Sequence, residues 1–133
     1  MDPATSNYGL FSVVPKSQRV LQHSPVAVLK ATKNATEREG LRESCLRDSA
    51  AIVEYLAWLT TQLKEGAKLT EFEGAERLRE FRQEKELFVG PSFGTISSTG
   101  ANAAIIHYHP EKETSAVIDS EGMYLCDSGG QYL

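Results

Sequence analysis

Three polar side chains near the C-terminal end of the sequence are of types that could carry chemistry. His107 and His109 flank Tyr108, and Asp127 opens the sequence Asp-Ser-Gly-Gly. Imidazole transfers protons or binds metal ions, and a carboxylate binds hard divalent cations. A divalent ion needs about four or more ligands, and these residues alone do not form a convincing set. The sequence contains no phosphate-binding loop, HExxH motif or GxSxG motif.

Each of these residues also has a purely structural interpretation, which the pattern favours when a residue is considered alone. The His-Tyr-His run precedes Pro110 and is typical of a partly exposed strand end. Asp127 begins a strong turn signal, in which an Asp side chain hydrogen-bonds to its own backbone. Cys126 is interpreted as a small buried residue. Both interpretations of Asp127, turn residue and metal ligand, therefore remain open at this level.

Short strands must position these side chains. The β-prone segments lie at residues 95–99, 103–109, 115–119 and 123–127, and a further strand begins after Gly129-Gly130. Because side chains alternate along a strand, Ile105, His107 and His109 are expected on one face of the second segment. Tyr124 and Cys126 are expected to share one face of the fourth.

A long helix is predicted before these strands. Asn34 or Thr36 can serve as its N-cap, with Glu37 or Glu39 three residues later, and Gly66 ends it. Asp48 interrupts its apolar stripe, which consists of Leu41, Cys45, Ile52, Leu56, Leu59 and Leu63 and is widened by Ala51, Tyr55 and Trp58.

A second helix is predicted from a capping box that pairs Thr70 with Glu73. Its charged residues are interpreted as a solvated face: Glu76, Arg77, Arg79, Glu80, Arg82, Glu84 and Lys85. Residues 26–31, which precede both helices, are rich in β-branched side chains and are predicted to form a strand. This order predicts an α+β fold, with two helices packed on a largely antiparallel β-sheet.

Composition limits the classes of function. The 133 residues carry a net charge of −4 at pH 7 without a basic stripe, so nucleic-acid binding is not expected. The two cysteines show no CxxC or Cys/His spacing, which favours a reducing compartment. No apolar run approaches the roughly 20 residues that cross a bilayer, and the N-terminus does not resemble a signal peptide. A cytoplasmic protein without a membrane partner is therefore expected.

Two blocks of the sequence resemble a known family. Residues 93–108, FGTISSTGANAAIIHY, and residues 124–132, YLCDSGGQY, resemble two successive blocks of aminopeptidase P. This is the Xaa-Pro aminopeptidase branch of the pita-bread metallopeptidases, which are related to creatinase and methionine aminopeptidase. Residues 31–34 and the long helix from Glu37 also resemble the start of that catalytic domain. The likeness extends from about Pro15 to Leu133.

The resemblance implies a hydrolase that uses two divalent metal ions, commonly Mn²⁺, to remove the N-terminal residue preceding proline. The family's metal ligands are two Asp, one His and two Glu, and Asp127 matches the first Asp. His107 matches the histidine that lies beside the metals and contacts the substrate. Peptides with proline at the second position are the implied substrates.

The resemblance also implies domain boundaries and a partial site. Residues 1–14 are expected to form an N-terminal tail or linker, and residues 15–133 the N-terminal part of a truncated pita-bread catalytic domain. With one metal ligand of five, the isolated chain is expected to be inactive, to hold no metal tightly and to self-associate. The alternative is a non-catalytic interaction module that keeps this first half of a pita-bread fold. Three residues depart from the family pattern, namely Gly94 for a frequent Pro, His109 for a small residue and Cys126 for a branched aliphatic one.

Overall fold

The computed structural model describes residues 1–133, which divide into two compact units, Met1–Arg38 and Glu39–Leu133. The α-helices are α1 (Tyr8–Val13), α2 (Pro25–Ala31), α3 (Ala35–Lys64) and α4 (Glu71–Gln83). The strands are β1 (Phe88–Pro91), β2 (Ile96–Thr99), β3 (Tyr124–Asp127) and β4 (Gly130–Tyr132), and 3-10 helices span Lys16–Gln18 and Gly100–Ala104. The predicted α+β class is confirmed. No helix is both long and apolar enough to cross a bilayer.

The first unit is helical where the sequence predicted a strand. Residues 26–31 lie in α2 and not in a strand, and Val26 and Val28 are exposed there. Pro25 occupies the first turn of this helix, where its fixed φ favours helix formation. No strand lies in this unit, so the β-branched run has no ladder to join and the local helix signal prevails.

Helix α3 begins and ends as the sequence predicted. The Asn34 Oδ1 atom accepts a hydrogen bond from the Glu37 backbone N–H at 2.9 Å, and Glu37 Oε2 accepts one from the Asn34 N–H at 3.0 Å. Beyond the helix, Gly66 adopts a left-handed φ of 85°. Its N–H donates to the last turn and the Ala67 N–H donates to the Gln62 carbonyl, which is a Schellman motif.

The core of the second unit involves a shorter part of α3 than the predicted stripe. The buried cluster contains Tyr55, Leu59, Leu78 and Ile118, with Trp58 and Phe81 packed against it. Leu41, Cys45 and Leu56, all assigned to the stripe, are exposed. The buried residues of α3 instead follow a spacing of four, at Ala51, Tyr55 and Leu59, because a spacing of four keeps side chains on one face of a helix.

Helix α4 has the predicted capping box but a different charged face. The Thr70 Oγ1 atom accepts a hydrogen bond from the Glu73 N–H, and the Glu73 carboxylate accepts one from the Thr70 N–H. Arg82, assigned to the solvated face, is only 1% exposed. That assignment is wrong because the Arg82 side chain is paired with a carboxylate on α3, as described below.

The strands form two separate two-stranded antiparallel ladders. Strand β2 pairs with β3, from Ile96 opposite Asp127 to Thr99 opposite Tyr124. Strand β4 pairs with β1, a strand that the sequence did not predict. Helix α4 packs against both β1 and β2. The strands therefore do not form the one sheet that the sequence predicted, although their antiparallel pairing is as predicted.

Two of the predicted strands are not strands. Residues 103–109 start inside the 3-10 helix and continue as a turn, and residues 115–119 contribute only an isolated bridge between Val117 and Thr70. Gly100 and His107 have left-handed φ values of 54° and 56°. An extended strand cannot contain such residues, so Ile105, His107 and His109 do not share a strand face.

Gly74 lies on the buried face of α4, where an added methyl group would have no space. An ideal Cβ atom there would lie 2.8 Å from Tyr55 Oη, 3.2 Å from Ile118 Cδ1 and 3.3 Å from Ser97 Oγ. The Tyr55 hydroxyl cannot move freely, since it is hydrogen-bonded to Tyr124 Oη at 2.7 Å.

Replacing Gly74 with alanine is therefore expected to lower the free energy of unfolding relative to the Gly40→Ala control. Gly40 is also helical, but an added Cβ atom there meets nothing within 4 Å. Both variants gain helix propensity, so their difference isolates the overpacking cost of about 1–3 kcal/mol. Urea unfolding of the two variants measures this difference. Equal stabilities would show that the helix interface can absorb the methyl group.

Candidate active site

Asp127 is the last residue of β3, and its carboxylate is exposed. Its backbone is held in register opposite Ile96 of β2. The carboxylate accepts no hydrogen bond and forms no ion pair within the chain, so the expected contact with its own turn is absent. Its oxygen atoms are therefore available to a ligand that is not part of this chain.

The link between β3 and β4, formed by Ser128 and Gly129, lies against a paired arginine and aspartate. Arg82 donates from Nε to Asp48 Oδ1 at 2.8 Å and from Nη2 to Asp48 Oδ2 at 2.9 Å. The same Nη2 donates to Ser128 Oγ at 3.1 Å, and Tyr132 Oη donates to Asp48 Oδ1 at 3.1 Å. This bidentate pair, with one residue on α3 and the other on α4, is thus hydrogen-bonded to Ser128 in the link and to Tyr132 in β4.

Position 130 requires glycine because its backbone lies close to the Arg82–Asp48 pair. An ideal Cβ atom on Gly130 would lie 2.6 Å from Asp48 Oδ1 and 3.3 Å from Phe88 Cε2. The preceding residue, Gly129, accepts a hydrogen bond through its carbonyl oxygen from the Ser92 N–H at 2.8 Å. The turn predicted for Asp-Ser-Gly-Gly is therefore wrong: Ser128 and Gly129 link strands of two different ladders, and Gly130 packs against charged side chains.

His107 lies in the exposed turn after the second 3-10 helix, and its φ is left-handed. No hydrogen bond joins His107 to Asp127. In the β2–β3 ladder, Asp127 pairs with Ile96 at one end. Thr99 lies at the other end, and the 3-10 helix begins directly after it. The two ends are three residue steps apart along β2, which corresponds to about 10 Å. The two predicted site residues are thus attached to opposite ends of one small ladder.

Glu71, the first residue of α4, has the most completely hydrogen-bonded carboxylate of this region, and it is fully buried. Its partners are the Thr99 and Ala116 backbone N–H groups, the Asn102 side-chain amide and the Tyr108 hydroxyl. Burial alone would raise the pKa of Glu71, but these hydrogen bonds outweigh it and hold the pKa below the ordinary value of 4.5.

The lowered pKa of Glu71 makes the stability of the fold depend on pH. A carboxyl group whose pKa is lower in the folded state stabilises the fold above its unfolded pKa. That stabilisation is lost as the pH falls through the lowered value. The ionised carboxylate also acts on its donor, because burial and the neighbouring Glu71 charge raise the pKa of Tyr108 to about 12.

The inner face of β3 is anchored by a chain of hydroxyl groups. Tyr124 Oη lies 2.7 Å from Tyr55 Oη and 2.8 Å from Ser97 Oγ. Burial raises the pKa of Tyr124 to about 12 and also raises that of the half-buried Cys126 thiol. Cys126 is therefore held as a thiol that fills space beside β3, in agreement with its structural interpretation.

Gly94 and His109, two of the departures from the family pattern, lie against each other. An ideal Cβ atom on Gly94 would lie 3.0 Å from Cε1 and 3.1 Å from Nδ1 of the His109 imidazole. A larger residue at 94 would displace this ring, so the two departures compensate sterically. Both residues border a cavity of about 380 Å³ that also contacts Phe72 and Arg79.

Sequence reasoning missed Asp48, Arg82 and Glu71. Asp48 left a visible signal, since it interrupts an otherwise apolar stripe. Arg82 and Glu71 lie among other charged residues and carry no signal that separates them from a solvated face. No group of three or more His, Cys, Asp or Glu side chains is arranged to hold a metal ion.

Comparison with known proteins shows the family to which this chain is similar. The model of metallopeptidase family M24 matches residues 39–133. A probable Xaa-Pro aminopeptidase P from Arthroderma benhamiae is 55% identical over 130 residues, covering 96% of this chain and 19% of the relative. The Xaa-Pro aminopeptidase ApepP of Drosophila melanogaster is 47% identical over 129 residues, covering 97% of this chain and 21% of the relative.

A solved structure is similar over the same region. X-prolyl aminopeptidase from Caenorhabditis elegans, described as a cytosolic enzyme with a di-nuclear active site, superposes with a TM-score of 0.89 at 38% identity. The match covers 95% of this chain and 21% of the nematode chain. The chain thus spans about a fifth of the length of the relatives that it matches.

Proposed function

The chain belongs to metallopeptidase family M24, and from that premise we propose that it is part of an aminopeptidase that removes the N-terminal residue preceding proline. The observation that carries the proposal is the similarity to Xaa-Pro aminopeptidases over 96% of the chain, together with the TM-score of 0.89 to the nematode enzyme. In this proposal, residues 15–133 are the N-terminal part of the catalytic domain. The cytoplasm is its proposed location, because the nematode enzyme is described as cytosolic.

The proposed metal ligand in this chain is Asp127. Its carboxylate is exposed at a strand end, lacks an internal partner and has the hard oxygen donors that suit Mn²⁺. The residues present therefore fit one side of a metal site, and the remaining ligands have to come from outside this chain. We expect the isolated chain to be inactive for that reason.

In the proposed peptide hydrolysis, the metals and His107 have separate roles. Divalent ions held in part by Asp127 would lower the pKa of the attacking water and would stabilise charge on the attacked carbonyl oxygen. Asp127 is positioned for that task because β2 fixes its backbone and Arg82, paired with Asp48, donates a hydrogen bond to the next residue, Ser128. His107 is assigned to the substrate, where its imidazole donates a hydrogen bond to the oxygen that gains negative charge.

Removing the metals from the full-length enzyme is expected to abolish cleavage of Xaa-Pro peptides, and adding Mn²⁺ is expected to restore it. Release of the first residue from such a peptide measures the activity, with a matched Xaa-Ala peptide as the specificity control. Cleavage that survives chelation would contradict a metallopeptidase. A metal-loaded protein that binds Xaa-Pro peptides without cleaving them would instead support the non-catalytic interaction module.

A further inference from the structure

Glu71 is a fully buried carboxylate that the proposed chemistry does not use. Its Oε1 accepts hydrogen bonds from the Thr99 N–H at 2.7 Å and from Asn102 Nδ2 at 3.2 Å. Its Oε2 accepts from Asn102 Nδ2 at 2.9 Å, the Tyr108 hydroxyl at 2.6 Å and the Ala116 N–H at 2.9 Å. Five hydrogen bonds to a buried anion are a strong and geometrically specific anchor.

These donors are spaced along the segment that contains His107. Thr99 precedes the segment and Ala116 ends it, while Asn102 and Tyr108 lie within it. The Glu71 backbone N–H also donates to the Ala116 carbonyl at 2.9 Å. One residue at the start of α4 therefore closes a loop of residues 100–116 at its two ends and holds it at two internal points.

Apolar packing does not hold the part of the loop beside His107. Ile105 and Ile106 are 54% and 85% exposed, and His107 is exposed as well. The left-handed φ of His107 is a costly conformation for a residue other than glycine and persists only where neighbouring contacts impose it. The adjacent Tyr108, with its hydrogen bond to Glu71, supplies such a contact.

We infer that Glu71 is the positioning residue for His107, acting through Tyr108 and Asn102 to fix the loop from which His107 reaches the substrate. This inference rests on the proposed function, which assigns His107 to the substrate. Glu71 itself does not touch the substrate. Its role is to keep the imidazole where a donor is needed, and a misplacement of about 1 Å can cost about 100-fold in rate.

The test uses Glu71→Gln in the full-length, Mn²⁺-loaded enzyme. Glutamine keeps the size but removes the charge, and it turns an NH₂ group toward donors that need an acceptor. The expected result is a fall in kcat of about 10- to 100-fold, with metal content unchanged. The double variant Glu71→Gln/His107→Ala is expected to be no slower than His107→Ala, since both changes remove the same contribution.

Hydrogen exchange gives a readout independent of activity. Amides of residues 100–109 are expected to exchange faster in Glu71→Gln, while those of α3 stay protected. Glu113→Gln is the matched control, because the Glu113 side chain is exposed in the same loop and makes no hydrogen bond to other loop residues. Tyr108→Phe, which removes the hydrogen bond from Tyr108 to Glu71 and the one from Asn102 to Tyr108, replaces Glu71→Gln if that variant does not fold.

Two results would overturn the inference. Multiplicative losses in the double variant would show that Glu71 acts independently of His107, and unchanged exchange would show that Glu71 does not order the loop. If the wild-type enzyme cleaves no Xaa-Pro peptide, the proposed function fails instead. Hydrogen exchange then decides whether Glu71 orders the loop at all.

Discussion

Replacing Asp127 with alanine in the full-length enzyme is expected to reduce kcat/KM for Xaa-Pro peptides by more than about 100-fold. The bound rests on the general finding that losing a residue which only supports a metal ligand costs 10- to 100-fold. Losing the ligand itself must cost more, since the metal then lacks both a donor and part of its compensating negative charge. Steady-state kinetics and metal analysis of the purified variant measure the two effects together.

Asp119→Ala is the matched control for Asp127→Ala. Asp119 is also an exposed aspartate just before β3, and it accepts a hydrogen bond from the Glu121 backbone N–H. Removing it eliminates a carboxylate of the same type and a local turn contact, but no proposed metal ligand. We expect near wild-type activity and metal content. Full activity in the Asp127→Ala enzyme would show that the assignment of Asp127 is wrong.

Replacing Arg82 with methionine is expected to lower the free energy of unfolding by about 3–5 kcal/mol, because it leaves Asp48 without its bidentate partner. Arg82 is 1% exposed and Asp48 is 19% exposed, so water replaces little of the lost interaction. Ser128 loses its donor at the same time. Urea unfolding of the variant measures the loss.

Arg79→Met provides the comparison on the same helix. Arg79 pairs with Glu76 at the surface, where about half of each side chain is exposed, and such pairs contribute about 0–1 kcal/mol. The double variant Asp48→Leu/Arg82→Met is expected to regain part of the lost stability, since removing both charges removes the unpaired one. Equal losses in Arg82→Met and Arg79→Met would show that the buried pair has no special role.

The Arg82 variant also connects stability with the proposed site. The pair is hydrogen-bonded to Ser128 and Tyr132, which follow Asp127, so loosening the pair is expected to disturb the backbone of the proposed ligand. Supporting contacts of this kind affect metal affinity by 10- to 100-fold. In the full-length enzyme, Arg82→Met is therefore expected to weaken Mn²⁺ binding more than Arg79→Met does.

Local signals in the sequence predicted much of the secondary structure from Asn34 onward. The capping boxes at Asn34 and Thr70 place helix starts because their hydrogen bonds involve residues three positions apart. Gly66 ends α3 through its left-handed conformation, which favours glycine. Strands β2, β3 and β4 lie where β-prone residues follow turn residues. Asp127 and His107 were candidates from their residue types, but only the family resemblance gave them roles, and those roles stay predictions.

The errors have a common cause in pairing that the chain cannot signal locally. Residues 26–31 and 103–109 have strand-like composition, but neither has a neighbouring strand to pair with. Strand β1, by contrast, contains Gly90 and Pro91 and has weak strand propensity, yet β4 pairs with it. Strand formation depends on a partner as well as on composition.

The sequence by itself determined both ends of α3, the start of α4 and the family to which these residues belong. Only the tertiary structure decided which charged residues are buried. Asp48 and Arg82 are 34 positions apart, and Glu71 and Tyr108 are 37 apart. Each pair is satisfied only when separate elements pack together, so a charge that looks solvated in the sequence becomes a buried anchor of the fold.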